Sequence, residues 1–116
     1  MIVMKTKEEV RQFLGRFFPK MEIWGIFFLE REKNQEALRE LGITPDNRKS
    51  IIHTLEEDDY VETLDSLFEQ MGDLWVFGKD YDGTTLYIKI ALGPPNSQTI
   101  CISFHKAEHK IHYAFK

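Results

Sequence analysis

The sequence predicts an α+β domain in which an antiparallel β-meander packs against helices on one side. Three observations point there. From Thr84 to His105 two segments alternate apolar and polar residues with period two, the mark of strands with one buried and one open face. The first half of the chain instead shows helix-cap residues followed by apolar positions three and four apart. Hydrophobic residues make up 42% of the 116, with nine Phe and two Trp, so one packed domain over residues 1–116 is expected rather than disorder.

Thr6-Lys-Glu-Glu9 is a capping box, and Val10, Phe13, Leu14 and Phe17 follow it at helical spacing. Pro19 is expected to end that helix. Met21–Leu29, compact and rich in aromatic and β-branched residues, reads as a strand buried on both sides. Asn34 can cap a short helix that buries Ala37, Leu38 and Leu41 and stops at Gly42. Thr44-Pro45 starts another, with threonine at the N-cap, proline in the first helical position, and Ile51, Ile52 and Leu55 facing inward. A fourth helix is expected from near Thr54–Glu57 through Leu64, Leu67, Phe68 and Met71 to Gly72. Leu74–Lys79 reads as a strand, with Asp82-Gly83 as the turn into the main hairpin. A four-residue loop Asp80–Gly83 would set Trp75 opposite Ile88, Phe77 opposite Leu86 and Val76 opposite Tyr87.

In the hairpin itself, Leu86, Ile88, Ile90 and Leu92 share one side of the first arm, and Ile100, Ile102 and Phe104 share one side of the second. A Gly93–Ser97 loop that pairs Leu92 with Gln98 sets Ile90 opposite Ile100, Ile88 opposite Ile102 and Leu86 opposite Phe104, all on one face. The reverse face then carries Tyr87, Lys89, Ser103 and His105, with Cys101 across from Lys89. Tyr87 and His105 become diagonal neighbours roughly 7–8 Å apart, a gap about as wide as a phosphate. That open face is the place to look for chemistry.

Composition narrows the function classes. A net charge of −4 argues against an indiscriminate nucleic-acid binder. The charge is uneven, however: from Leu86 onward there are four lysines, one glutamate and three histidines, which permits an RNA contact. A single cysteine, Cys101, excludes a disulfide within the chain and points to a reducing compartment. The first residues lack an apolar signal core and no run approaches spanning length, so a cytoplasmic protein without membrane contact is expected.

Other constellations weigh less. His105, His109 and His112 have the spacing of a helical zinc face, but His105 ends a strand, and a polar tail with no metal is the better reading. Cys101 reads as a small half-buried strand residue, since no base of fixed geometry accompanies it. Glu56–Asp59 reads as acidic residues entering a helix N-terminus, and His53 as packing or surface. Arg31, Arg39, Arg48 and Lys49 can form a basic patch beside the open face.

Several blocks together resemble a known family: Leu55-Glu-Glu-Asp-Asp-Tyr60 after an amphipathic helix, Trp75 opening a strand, Leu86-Tyr-Ile-Lys-Ile90, and Ser103-Phe-His105. From about Gly25 to His105 the chain is similar to the MqsR toxins of type II toxin–antitoxin systems, within the wider RelE-like group of small mRNA endonucleases. The extended Trp75–Lys79 and Cys101–Glu108 runs suggest a distinct branch. The resemblance implies a RelE/MqsR-like fold, ribosome-independent RNA cleavage without metal or small-molecule cofactor, and neutralisation by a cognate antitoxin protein. It makes Tyr87 the counterpart of the family's active-site tyrosine and places His105 where the family has a lysine. Val76 stands where the family has glutamine, and Val61 falls near a family lysine.

Metal-free RNA cleavage uses the 2′-hydroxyl as nucleophile on the adjacent phosphate, and needs a base, an acid and cations for the charge building on phosphorus. A histidine suits either proton role near neutral pH, so His105 and Tyr87 are the expected catalytic pair. Lys89, Lys79 and Lys106 are expected to hold RNA phosphates. The bland alternative for this face is a solvated surface whose tyrosine and lysine cover apolar area. At the level of function, the alternative to a toxin-like mRNA endoribonuclease is a non-catalytic binding module that keeps the toxin scaffold.

Overall fold

In the computed structural model, which describes residues 1–66 and 68–116, three helices pack against one face of a six-stranded sheet. Helix α1, Lys7–Trp24, opens with the expected capping box: the Glu9 amide donates to Thr6 Oγ1 at 3.1 Å and the Thr6 amide to Glu9 Oε1 at 2.9 Å. It does not stop at Pro19. Pro19 and Gly15, whose carbonyl the proline leaves without its helical partner, both lie exposed, where water can satisfy that oxygen. Two residues further on, Met21 is fully buried and extends the stripe of Val10, Phe13, Leu14 and Phe17. A buried side chain of that size is worth about 1.5–3 kcal/mol, enough to offset much of the proline penalty.

The stretch read as one buried strand is therefore split. Its first four residues end α1, and only Ile26–Phe28 forms strand β2, which runs parallel to the last strand and leaves Phe27 half exposed. Helix α2 spans Glu32–Leu41 and ends at Gly42 as expected, but its N-cap is Arg31, and Asn34 lies buried inside it. Helix α3, Pro45–Ile52, has Thr44 as N-cap with Oγ1 accepting from the Asn47 amide. Ile52 and Leu55 are buried, as the spacing predicts.

The expected fourth helix is absent among the described residues. A 3-10 turn at Glu57–Asp59 leads into strand β3, Tyr60–Leu64, and a second turn covers Glu69–Met71. Aromatic and β-branched residues suit a strand here, and the Tyr60 hydroxyl meets Thr63 Oγ1 at 2.6 Å. β3 also gains partners on both sides, the two-residue strand β1 at Ile2–Val3 and strand β4 at Leu74–Tyr81. Phe68 is exposed rather than core-facing, and Leu67 lies outside the described residues.

Strands β5, Thr84–Ala91, and β6, Thr99–Lys106, complete the order β1-β3-β4-β5-β6-β2. The β4–β5 turn has two residues, not four, because Asp82 and Gly83 adopt φ of 49° and 83°, the mirror-image turn that matches strand twist. Trp75 thus faces Ile90, Phe77 faces Ile88, Val76 faces Lys89 and Gly78 faces Tyr87. That is a two-residue slip from the predicted register, which leaves every side chain on its expected face.

The β5–β6 pairing departs in a more consequential way. Tyr87 pairs with His105, Ile88 with Phe104 and Lys89 with Ser103, but the next pair is Ile90 with Cys101, so Ile102 is an extra, bulged residue. Beyond the bulge the faces reverse. Cys101 enters the core beside Ile90, and neither Ile100 nor Ile102 belongs to the core cluster. Asn34 of α2 secures this irregularity: its Nδ2 donates to Ile102 O at 3.1 Å and Leu29 O at 3.0 Å, and its Oδ1 accepts from the Phe104 amide at 2.9 Å.

Residues 107–116 form no loose tail. The Ala107 amide donates to Thr85 O and the Ala114 amide to Tyr60 O, and Phe115 stacks on Tyr60 with ring centroids 5.7 Å apart. Between these anchors the segment crosses the open face at Gly78. A Cβ there would stand 2.8 Å from Tyr113 Oη and 3.0 Å from Ile111 Cδ1, so any side chain at this position would force Tyr113 and Ile111 to shift. No helix among the described residues is long and apolar enough to cross a membrane.

Candidate functional site

On the face away from the helices, the register sets Gly78, Tyr87 and His105 in one cross-strand row and Val76, Lys89 and Ser103 in the next. Tyr87 and His105 are direct partners, not diagonal ones. Their rings stack at 5.3 Å with 15° between planes, so a phosphate has no room between them and must sit above. Lys89 Nζ lies 5.8 Å from the Tyr87 ring centroid. Arg31, just after β2, donates from Nη1 to Ser103 Oγ at 2.9 Å and so overhangs the same rows. These residues floor a groove of about 560 Å³ whose walls include Val61, Glu62, Lys33 and the strap residues Glu108–His112.

The groove is cationic in an acidic chain. Its lining carries Arg31, Lys33, Lys89 and Lys110 against Glu62 and Glu108, two positive charges in excess, while the whole chain has −4. Lys33 Nζ lies 2.8 Å from Glu108 Oε1, which neutralises that carboxylate in place. Burial, then the Glu62 carboxylate, pushes the Tyr87 pKa up, so its phenol is a hydrogen-bond donor at neutral pH and not a base. Burial, reinforced by the Arg31 charge, draws the Lys89 pKa down from the usual lysine range. His105 Nδ1 lies 2.9 Å from Lys106 O. A carbonyl can only accept, so Nδ1 carries hydrogen and Nε2 is the atom at which a proton can come and go.

Of the five residues singled out in the sequence, Tyr87, His105 and Lys89 meet in this groove. Lys79 and Lys106 do not. Both flank Leu86 on the helix side, where Lys79 donates to Asp59 Oδ2 and Thr54 O, each at 3.1 Å, and Lys106 pairs with Glu40. The expected basic patch also separates: Arg39 pairs with Glu32, Lys49 lies 3.9 Å from Glu22, and Arg48 is buried over the Phe28 ring. Only Arg31 of the four reaches the groove. Cys101 sits in the core, and complete burial pushes its thiol up to about 12. His53 stacks on Phe18 and meets Glu22. His109 and His112 line the groove with His105, yet among the described residues no three His, Cys, Asp or Glu side chains converge to hold a metal.

Among the contributors hidden from sequence reasoning are Glu62 and Lys110. Glu62 falls within the expected fourth helix, although Tyr60-Val-Glu-Thr-Leu64 is rich enough in aromatic and β-branched residues to signal a strand. Lys110 falls within the expected polar tail, and no local pattern announces that this segment returns over the sheet.

The sequence model of the MqsR toxins, described as "motility quorum-sensing regulator, toxin of MqsA", matches residues 27–106. The chain belongs to this family. Its three helices and six-stranded, mostly antiparallel sheet are consistent with that membership, and with it the chain is a toxin of the toxin–antitoxin type. Comparison with curated proteins and with solved structures gave no significant match. The matched span contains Arg31, Glu62, Tyr87, Lys89, Ser103 and His105, whereas residues 107–116 fall outside it.

Proposed function

We propose that this MqsR-family toxin is a metal-independent mRNA endoribonuclease acting in the cytoplasm and neutralised by an antitoxin of the MqsA type. The observation that carries the reading is the stacked Tyr87–His105 pair on the floor of a cationic groove. An RNA phosphate above that pair meets every group the reaction needs from side chains alone. His105 Nε2 takes the proton of the 2′-hydroxyl as its oxygen bonds to phosphorus. The bond from phosphorus to the 5′-oxygen breaks, and the Tyr87 phenol, held protonated by burial, gives the leaving oxygen a proton. Lys89 and Arg31 offset the charge that builds on the non-bridging oxygens. The products are a 2′,3′-cyclic phosphate and a 5′-hydroxyl.

The test is incubation of purified protein with a defined RNA in excess EDTA, followed by mapping of the product ends. Cleavage that yields those ends is the expected result; loss of cleavage in EDTA, or 3′-hydroxyl ends, would overturn the mechanism. A second reading is a non-catalytic module that retains the toxin scaffold. Val61 in the groove wall and fully buried Val76 beside Lys89 favour it, because both put apolar groups where the family pattern is polar. Growth arrest on expression of the protein alone, relieved by co-expression of the neighbouring gene, separates the two.

A further inference from the structure

The strap at residues 107–116 is built to hold a position without filling the groove. It is fixed at one end by Ala107 on Thr85 and at the other by Ala114 on Tyr60 and by Phe115 against the Tyr60 ring. Tyr113 sits in the notch left by Gly78. Between the anchors, His109, Lys110 and His112 are exposed, while Ile111 turns to the sheet. Space opens on both sides of the bridge: the groove over Tyr87 and His105, and a second hollow of about 570 Å³ beside Thr84 and Thr85. The strap's one carboxylate in the groove, Glu108, is already paired with Lys33. What it offers a ligand is therefore one ammonium and two imidazoles, facing the Arg31 and Lys89 charges across the groove.

We propose that this strap is an RNA-binding wall, in which Lys110, His109 and His112 hold phosphates next to the one above Tyr87 and His105. The inference rests on the RNA reading given above. A cover that shut the groove would be apolar or acidic and would fill it; this one is cationic and leaves both openings clear. Positive charge on both walls, Lys110 on the strap and Arg31 with Lys89 opposite, suits a chain of phosphates rather than a single one, so the ligand is single-stranded RNA. The strap lies outside the span that the MqsR model matches, residues 27–106.

The experiment uses the full chain and a fluorescent RNA oligonucleotide methylated at every 2′-hydroxyl, which binds but cannot be cut. Its dissociation constant is measured by anisotropy across a salt series for wild type, for Lys110→Ala, and for His109→Ala/Lys110→Ala/His112→Ala. All three side chains are exposed, so the melting temperature should not move. Every phosphate that is no longer neutralised should flatten the slope of log K against log salt by about 0.7, and the triple variant should bind about tenfold more weakly at low salt. Unchanged affinity and slope would make the strap a purely structural element, and tighter binding would make it a cover; either overturns the proposal. Cleavage of unmodified RNA is followed in parallel. Cutting that does not depend on the strap leaves the ribonuclease reading standing and removes this one. Strap-dependent binding without cutting does the reverse, and wild-type protein that fails to bind removes both.

Discussion

The two faces of the central sheet use the same side chains for different ends. On the helix side, Lys79 is locked to Asp59 and Lys106 to Glu40. On the groove side, Lys89 and Arg31 form no ion pair among the described residues, and Arg31 is held only by a hydroxyl and a carbonyl. A lysine that already has its carboxylate has little to offer a phosphate. Strand parity decides which kind each one becomes: Lys79 and Lys106 flank buried Leu86, whereas Lys89 is two pairs along from Tyr87, on its side.

The largest effect that can break this contrast is on His105. Replacement by alanine should lower the cleavage rate about 10²–10⁴-fold, as loss of a general base does. The residue is only 7% exposed and stacked on Tyr87, so some stability should go with it, and a thermal melt must accompany the kinetics. His105→Lys should keep phosphate affinity and move the pH optimum upward, because an ammonium holds its proton to higher pH. Tyr87→Phe should cost less, about 10²-fold, since water can stand in for a lost donor. A Tyr87→Phe variant that cleaves at the wild-type rate would leave the phenol a role in stacking alone.

Two variants on the helix side sharpen the comparison. Asn34→Ala strands the Phe104 amide in a buried setting and should destabilise the protein by about 1–3 kcal/mol, with cleavage impaired as the His105 register loosens. Lys79→Ala should cost about 1 kcal/mol, because Asp59 loses its nearest ammonium and keeps the Glu56 amide and the more distant Lys116, yet the cleavage rate should hold. A large rate loss in Lys79→Ala with normal stability would show that the two faces are not separate in function. The smallest effect belongs to Lys89. Its pKa is drawn below the usual lysine range by burial, so RNA affinity should fall as pH rises toward that range and the ammonium is lost. Lys89→Arg should keep the affinity at alkaline pH.

What could be read from the sequence was what is settled locally. The Thr6–Glu9 box, the Thr44-Pro45 start and the Gly42 stop each satisfy backbone groups within a few residues, and all three stand. The alternation of β4, of β5 and of Ser103–His105 in β6, and the side on which Tyr87, Lys89 and His105 lie, were equally legible, because a two-residue slip does not change a face. The misses needed partners far away in the chain. Pro19 is carried inside α1 by the burial of Met21, and residues 60–64 are a strand because β1 and β4 flank them. Cys101 enters the core through a bulge that depends on Asn34, some seventy residues earlier, which on local grounds reads as a cap. Nothing within β6 itself marks Ile102 as the extra residue.

That bulge divides β6 into two stretches that answer to different demands. Thr99–Cys101 takes its phase from β2 and the core, while Ser103–His105 takes its phase from Tyr87, Lys89 and Arg31. With the offset absorbed at Ile102 and pinned by Asn34, a change in packing at one end is not transmitted as a rotation of side chains at the other. The strand behaves like two gears on one shaft with a slip coupling between them. Volume changes at Cys101 should be felt as stability, and changes at Ser103 or His105 as chemistry, so the two properties can drift separately along a single eight-residue strand.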